Sequence, residues 1–430
     1  MLTAEENRIL TETGRGTPLG EMMRRYWQPV ALSEELPPGG APLPVKLLGE
    51  ELVLFRDDEG KPGLLGLHCS HRGADLSYGR VEDGGLRCIY HGWLYDRSGR
   101  CVEQPGEPAG STYHERIRQT AYPCVEAGGM VLAYLGPGEP PLLPSFDFFK
   151  VPVDNVFIAK LYADCNFMQG HEGNIDLLHT SFLHFSPRDI HTTRPSENGN
   201  GAAHVQLSSR GGAPHAETVE AQLTESGLRI AKVRKLSPEE NHVRVATFVL
   251  PGFTAVPGGQ VNWHVPIDDT HHWKYTLIFT REGPIDRDQA GRDRLDQAPP
   301  PSYMPVLNKA NRYQQDRASM NTATYCGIPV NRFQIQDLCV WEGAGPIQDR
   351  TNEHLVPSDV AIVASRKVYA AAIKDVAEGR DPPGVIREPE KNEFKEVVAN
   401  FADLPSSTSW KDYCKQLMAN GEAWQARGQG

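Results

Sequence analysis

Long apolar runs are missing from this sequence of 430 residues: no stretch approaches the eighteen or so consecutive apolar side chains of a membrane-spanning helix. Positive charge is in deficit, with 44 Lys and Arg against 55 Asp and Glu and a net charge of −11. That balance argues against nucleic acid as a partner, because phosphate backbones are held by clustered cations. The opening MLTAEENRIL has no basic segment followed by an apolar core, so the chain is expected to be cytoplasmic and unanchored. Cysteine is scarce, eight residues at uneven spacing, which excludes a secreted disulfide framework. No Gly-x-Gly-x-x-Gly opens a helix and no phosphate loop occurs, so this chain is not expected to bind nicotinamide or flavin itself. Internal repeats are absent too.

What is present suits two or three globular domains, since the length and 39% apolar content allow sizeable cores. Residues 1–24 carry one short helical pattern, Glu5 to Glu12, and Pro29 hands the chain over to extended structure. Residues 25–138 read as a small all-β domain of short strands broken by Gly-rich turns, as at Gly49-Glu50 and from Asp57 to Gly63. The proline-rich stretch GPGEPPLLPSF, Gly136 to Phe146, reads as a stiff connector, and the linker is set at 139–150. A larger domain, 151–430, should follow: a strand (VFIAKLYADC), a helix (NFMQGHEGNIDLLHTSFL), a polar loop (SENGNGAAHVQLSSRGGAPHAE), four antiparallel strands between Leu228 and Arg281, a surface excursion (PIDRDQAGRDRLDQAPPPS) and a mainly helical remainder.

The stretch HCSHRGADLSYGRVEDGGLRCIYHGWLYD presents Cys69, His71, Cys88 and His91 as Cys-x-His, sixteen residues, then Cys-x-x-His. A structural zinc site draws its cysteine and histidine pairs from separate elements, whereas here each half is mixed. Mixed halves suit a dinuclear cluster with thiolates and imidazoles in two loops. With Gly73 and Gly92 inside those loops, the chain resembles the large subunits of Rieske non-heme iron oxygenases, and within them the phthalate 4,5-dioxygenase type. The resemblance spans nearly the whole chain. It implies an α+β molecule: an N-terminal all-β Rieske [2Fe–2S] domain and a C-terminal catalytic domain of antiparallel sheet and helices, of the helix-grip type. It implies Cys69, His71, Cys88 and His91 as cluster ligands. Trp93 and Tyr95 either shield the cluster or belong to the ordinary core. Cytochrome-complex Rieske proteins add a disulfide between the loops; no such cysteines occur here, which points to a low-potential cluster that an NADH-fed donor can reduce.

Further on, Asp176, His179 and His184 stand as Asp-x2-His-x4-His. Five residues separate the histidines, about 140° around an α-helix, so joint binding of one metal requires a π-type turn or a helix end between Thr180 and Leu183. The step from Asp176 to His179 would share a helical face and make Asp176 an outer partner of that imidazole. Two imidazoles and a carboxylate leave Fe(II) with open positions for dioxygen. Asp337, Glu342, Asp349 and Glu353 are the available carboxylates, and the family resemblance favours Asp337. Glu342 is the alternative ligand, and a plainer reading has all four as surface or salt-bridge acids near Arg332 and Arg350.

The resemblance further implies homotrimers, or stacked trimers, in which Asp176 bridges one subunit's cluster to its neighbour's iron. It also implies a separate NADH-dependent reductase with flavin and iron–sulfur groups, and a small aromatic carboxylate as substrate, cis-dihydroxylated or else hydroxylated or demethylated. Arg244, in the apolar strand HVRVATFV, is the leading partner for that carboxylate if it points inward; Arg194 and Arg210 are weaker, and His191, His271 and His272 read as surface or internally satisfied. Two readings of other classes stand beside it: an electron carrier using the cluster alone, and a zinc-binding interaction module.

Overall fold

The computed structural model describes residues 1–185, 217–292 and 294–424. His191, Arg194 and the polar loop with Arg210, save for Glu217, lie outside them.

Three small antiparallel sheets build the front of the chain. Trp27–Leu32 pairs with Met130–Tyr134, which pairs with Cys124–Ala127; Leu43–Leu47, Glu50–Arg56, Pro62–Gly66 and Ala121–Tyr122 form a second sheet; Arg80–Glu82, Gly85–Arg87, Leu94–Asp96 and Cys101–Glu103 form a third. The turn between Leu47 and Glu50 has positive φ at both Leu48 and Gly49 (51° and 79°), the geometry that matches the twist of a tight hairpin. Its two amides donate to the carbonyls of Pro266 and Ile267 (3.1 and 2.8 Å), so this hairpin is stitched into the large sheet behind it. A second tie is ionic. Lys160 Nζ, buried under the Trp273 ring, donates to both oxygens of Glu35 (2.9 and 3.0 Å), the paired state that a buried ammonium requires.

The large antiparallel sheet runs in the order Val156–Ala163, His271–Phe279, Gln260–Asp268, Phe253–Val256, Glu240–Val249, Gly227–Lys235, Glu217–Leu223, with Asn400–Pro405 also pairing on Glu240–Val249. Side chains alternate across it, as the two-residue period of a strand demands. Ala231, Val243 and Val245 pack on one face with Trp410, Cys414 and Leu417 of the helix Trp410–Asn420. The other face carries the helix Phe167–Ile175, against which Phe333–Gly343 and Val360–Ala377 pack. No helix of the described residues is long and apolar enough to cross a membrane.

Several details depart from the sequence reading. The first helix spans Ala4–Ile9, with Thr3 and Glu6 forming a capping box. The proline-rich span, expected as a stiff connector, is also tied down: Trp27 Nε1 donates to the Pro141 carbonyl (3.0 Å), Leu142 N donates to Ile386 O (2.9 Å), and Phe146 and Phe148 enter the main core. The supposed surface excursion contains the helix Arg287–Arg292 and buries Ala290, Gln297 and Ala298. Finally, the helix that was expected to continue through Leu183 stops at Ile175, and Asp176 adopts φ −76°, ψ 93° outside it.

Helix Phe167–Ile175 is held by a buried ion network. Glu172 Oε2 accepts from Arg350 Nε and a terminal nitrogen (3.0 and 2.8 Å), Oε1 accepts from Arg366 Nε (2.6 Å), and Arg366 also pairs with Glu353. Arg350 is wholly inaccessible to solvent. Glu172→Gln leaves two buried guanidinium groups short of counter-charge, and its expected cost is about 3–5 kcal/mol. Thermal and urea unfolding of the variant measure this; a loss below about 1 kcal/mol would contradict it.

Candidate metal centres

Two loops of the small sheets present the first set of donors. Each has a glycine four residues after its cysteine, Gly73 after Cys69 and Gly92 after Cys88, with φ of 74° and 76°. In each the glycine N–H donates back to the cysteine carbonyl (2.8 and 3.0 Å), closing the same turn twice. A side chain at Gly92 would also strike Pro105, 2.6 Å from the position of its Cβ. Both thiols are buried and unbridged, whereas His71 is half-buried and His91 exposed. The imidazoles stand edge to face with centroids 4.5 Å apart. Trp93 stacks on His71 (4.3 Å, 5°), and the Tyr95 hydroxyl lies 3.1 Å from Cys69 Sγ. These two aromatics therefore contact the donors themselves. Among the described residues, no three of these four donors lie within 4.8 Å of one another.

The second set does gather. One nitrogen each from His179 and His184 and one oxygen from Asp337 all lie within 4.8 Å of one another, the sole such group among the described residues. The helix end at Ile175 makes this possible: after Asp176 the chain turns through the short 3-10 segment His179–Ser181, bringing His179 and His184 together. The predicted distortion thus begins a turn earlier than Thr180. Asp176 also acts differently from the shared-face expectation. Its carboxylate accepts the backbone N–H of Leu178 (2.9 Å) and His179 (3.3 Å), while its carbonyl receives His179 Nδ1.

The ring tautomers follow from these partners. His179 Nδ1 faces a carbonyl and must carry the proton. His184 Nδ1 lies 2.7 Å from Gln336 Oε1, whose amide nitrogen donates to Ile328 O (2.9 Å), so this Nδ1 carries a proton as well. Both Nε2 lone pairs are left pointing at one place, 3.2 Å apart, with Asp337 Oδ1 at 3.5 and 3.0 Å. Three electron-pair donors aimed at a common point fit a cation between them. Burial alone would raise Asp337, but positive charge at the imidazoles, carried by a proton on Nε2 when no metal stands there, together with Lys274 holds its carboxyl well below the usual range. Burial lowers His179, and Asp337 more than offsets that, leaving it raised.

The other carboxylates are engaged elsewhere. Glu342 accepts from Tyr313 and from the Asp164 amide, Asp349 caps Thr351 and Asn352, and Glu353 pairs with Arg366. His271 sits between Asp164 and Asp268, and buried His272 bonds to Cys165 O and His264, so both histidines are satisfied.

Arg244 points to the catalytic side of the sheet. It lies opposite Lys232, so the two share a face, and Lys232 Nζ donates to the hydroxyls of Thr180 and Ser181 (both 3.0 Å), directly after His179. Burial pushes Lys232 down to about 8 and Arg244 to about 10. Sequence reasoning missed Lys232, Gln336, Lys274 and Phe333, which stacks on His184 at 3.5 Å. Gln336 alone left a signal, standing next to Asp337.

Comparison with known proteins agrees with this geometry. Residues 26–122 match the Rieske [2Fe-2S] domain, and 133–427 match a family described as "LigXa C-terminal domain like". The phthalate 4,5-dioxygenase oxygenase subunit of Pseudomonas putida is 35% identical over 96% of this chain and 95% of its own. The 5,5'-dehydrodivanillate O-demethylase oxygenase subunit of Sphingobium sp. is 33% identical over 91% and 85%. The terminal oxygenase of carbazole 1,9a-dioxygenase from Novosphingobium sp. KA1 shares the fold at a TM-score of 0.54, with 20% identity over 85% of this chain and 97% of that one. The chain therefore belongs to the Rieske non-heme iron oxygenases, as an oxygenase subunit that works with a [2Fe–2S] cluster, a mononuclear iron and dioxygen.

Proposed function

We propose that this protein is the cytoplasmic oxygenase component of a multicomponent system that cis-dihydroxylates a phthalate-like aromatic carboxylate, fed by an NADH-dependent reductase carrying flavin and iron–sulfur groups. The observation carrying this reading is the placement of two buried cations, Lys232 and Arg244, on the sheet face that meets the His179 turn. Buried cations beside a reaction site select an anionic substrate by desolvated charge and directed hydrogen bonds. The chain divides into the N-terminal segment 1–24, the cluster domain 25–138, the connector 139–150 and the catalytic domain 151–430.

When bound, the cluster supplies electrons singly and the mononuclear iron a place to activate dioxygen. Cys69, Cys88, His71 and His91 hold the cluster, with Tyr95 and Trp93 excluding water from its inner side. His179, His184 and Asp337 hold the iron, while the Asp176 carbonyl and Gln336 keep each ring's proton on Nδ1. Arg244 orients the substrate through its carboxylate.

The surface supports a ring of three chains. Tyr78, Ile89 and Tyr90 are exposed at the cluster end, and Phe182, Tyr325, Val330 and Val340 at the end bearing the second site. Two different apolar patches on one molecule suit a head-to-tail contact, which closes when the rotation does. In that contact Asp176 meets the partner subunit's His91. In solved complexes of carbazole 1,9a-dioxygenase the oxygenase is joined to a ferredoxin, and a comparable electron donor is proposed for this chain.

A second reading, single-oxygen insertion with demethylation, draws on the O-demethylase relative. Turnover of aromatic acids under labelled dioxygen, with a generic reductase and product identification, separates the two. A cis-diol with two labelled oxygens is the expected product. One labelled oxygen with release of formaldehyde would replace the first reading by the second.

A further inference from the structure

Lys274 lies in the middle of the strand His271–Phe279, and its side chain is buried against the second metal centre. Its Nζ is 3.8 Å from Asp337 Oδ2 and 5.0 Å from the centre of the Trp341 ring, which stands one helical turn beyond Asp337. The strand neighbour opposite is His264. His264 Nδ1 lies 2.9 Å from His272 Nε2, and His272 Nδ1 lies 2.8 Å from the Cys165 carbonyl. That order of donors keeps both imidazoles neutral. Arg294, nearby, is a further cation. Among the described residues, Asp337 is therefore the anion that answers Lys274.

The two oxygens of Asp337 are thus divided. Oδ1 faces the imidazoles, and Oδ2 faces the ammonium. For both oxygens to grip one metal, Oδ2 would have to turn away from the buried ammonium and weaken their ion pair, which is unfavourable. We infer that Lys274 is a positioning residue that restricts Asp337 to a single ligating oxygen, Oδ1, and keeps the centre one charge more positive than two histidines and a carboxylate make it. The inference rests on the metal-site reading of His179, His184 and Asp337. One coordination position stays open that a two-oxygen carboxylate would fill, and the added charge suits an anionic substrate.

Two measurements test this. In a crystal structure of the wild-type protein loaded with zinc, Oδ1 should lie at about 2.0–2.2 Å from the metal and Oδ2 should remain with Lys274. Both oxygens at ligand distance would overturn the inference. Absence of metal from His179 and His184 would instead overturn the site reading, and the role of Lys274 with it. In titration calorimetry, Lys274→Met and Lys274→Gln should bind Co(II) about ten- to a hundredfold more tightly, the range over which outer partners tune metal affinity. Lys274→Arg should stay at the wild-type value. The paramagnetic signal of the reduced cluster reports that each variant is folded, and wild-type affinity in a folded neutral variant would refute the role.

Discussion

Asp337→Ala is expected to lower the iron content from about three to about two per chain and to abolish product formation, while the Rieske-type paramagnetic signal of the reduced protein survives. The expectation follows from the separation of the two donor sets. Asp337 is the sole carboxylate among the described residues that meets both His179 and His184, and it touches none of the four residues proposed to hold the cluster. Neighbouring acids cannot take over, since Glu342 and Glu353 are held by Tyr313 and Arg366. The alanine variant should also lose the ionic partner of Lys274, so its fold is checked by circular dichroism before metal is counted. Three irons per chain in a folded Asp337→Ala protein would remove this residue from the site.

Asp176→Asn should bind both metals yet turn over at least about 10- to 100-fold more slowly, the loss typical when a partner of a metal ligand is altered. Asparagine keeps an oxygen able to accept the Leu178 and His179 amides, and the backbone carbonyl that receives His179 Nδ1 is unchanged. Local geometry is preserved, and only the charge proposed to link the centres across the subunit contact is removed. Rapid-mixing spectroscopy should show the reduced cluster persisting when substrate and dioxygen are present. Wild-type reoxidation would sink the bridge.

Legibility in the sequence followed the distance over which each feature is encoded. The cluster loops are local: cysteine, histidine and glycine fall within a few residues, and one turn forms twice. The second centre is only half local. His179 and His184 stand close together, but 152 positions separate His184 from Gln336 next to Asp337, and no spacing rule spans that gap. The carboxylate was therefore left open between four acids until resemblance favoured one. Lys274 was invisible for a different reason. In His271–Phe279 it alternates with aromatic and aliphatic residues and reads as a solvent-facing position, whereas helix Phe333–Gly343 covers that face. The strands Glu217–Leu223, Phe253–Val256 and Asn400–Pro405 escaped because they are polar, short or end in proline. The helix stop at Asp176 carries no glycine or proline, and tertiary bonding of the His179 ring decides it.

The hairpin turn at Leu48-Gly49 bears on how such oxygenases can be recombined. Because its amides bond to Pro266 and Ile267 of the rear sheet, the seam between the halves is not located at the proline-rich span alone. A chimera that exchanges front modules between relatives at residue 139 would inherit a mismatched seam unless residues 260–268 travelled with residues 43–56. Exchange of one half against the other is therefore constrained by these two backbone hydrogen bonds and the Lys160–Glu35 pair as well as by the proline-rich span.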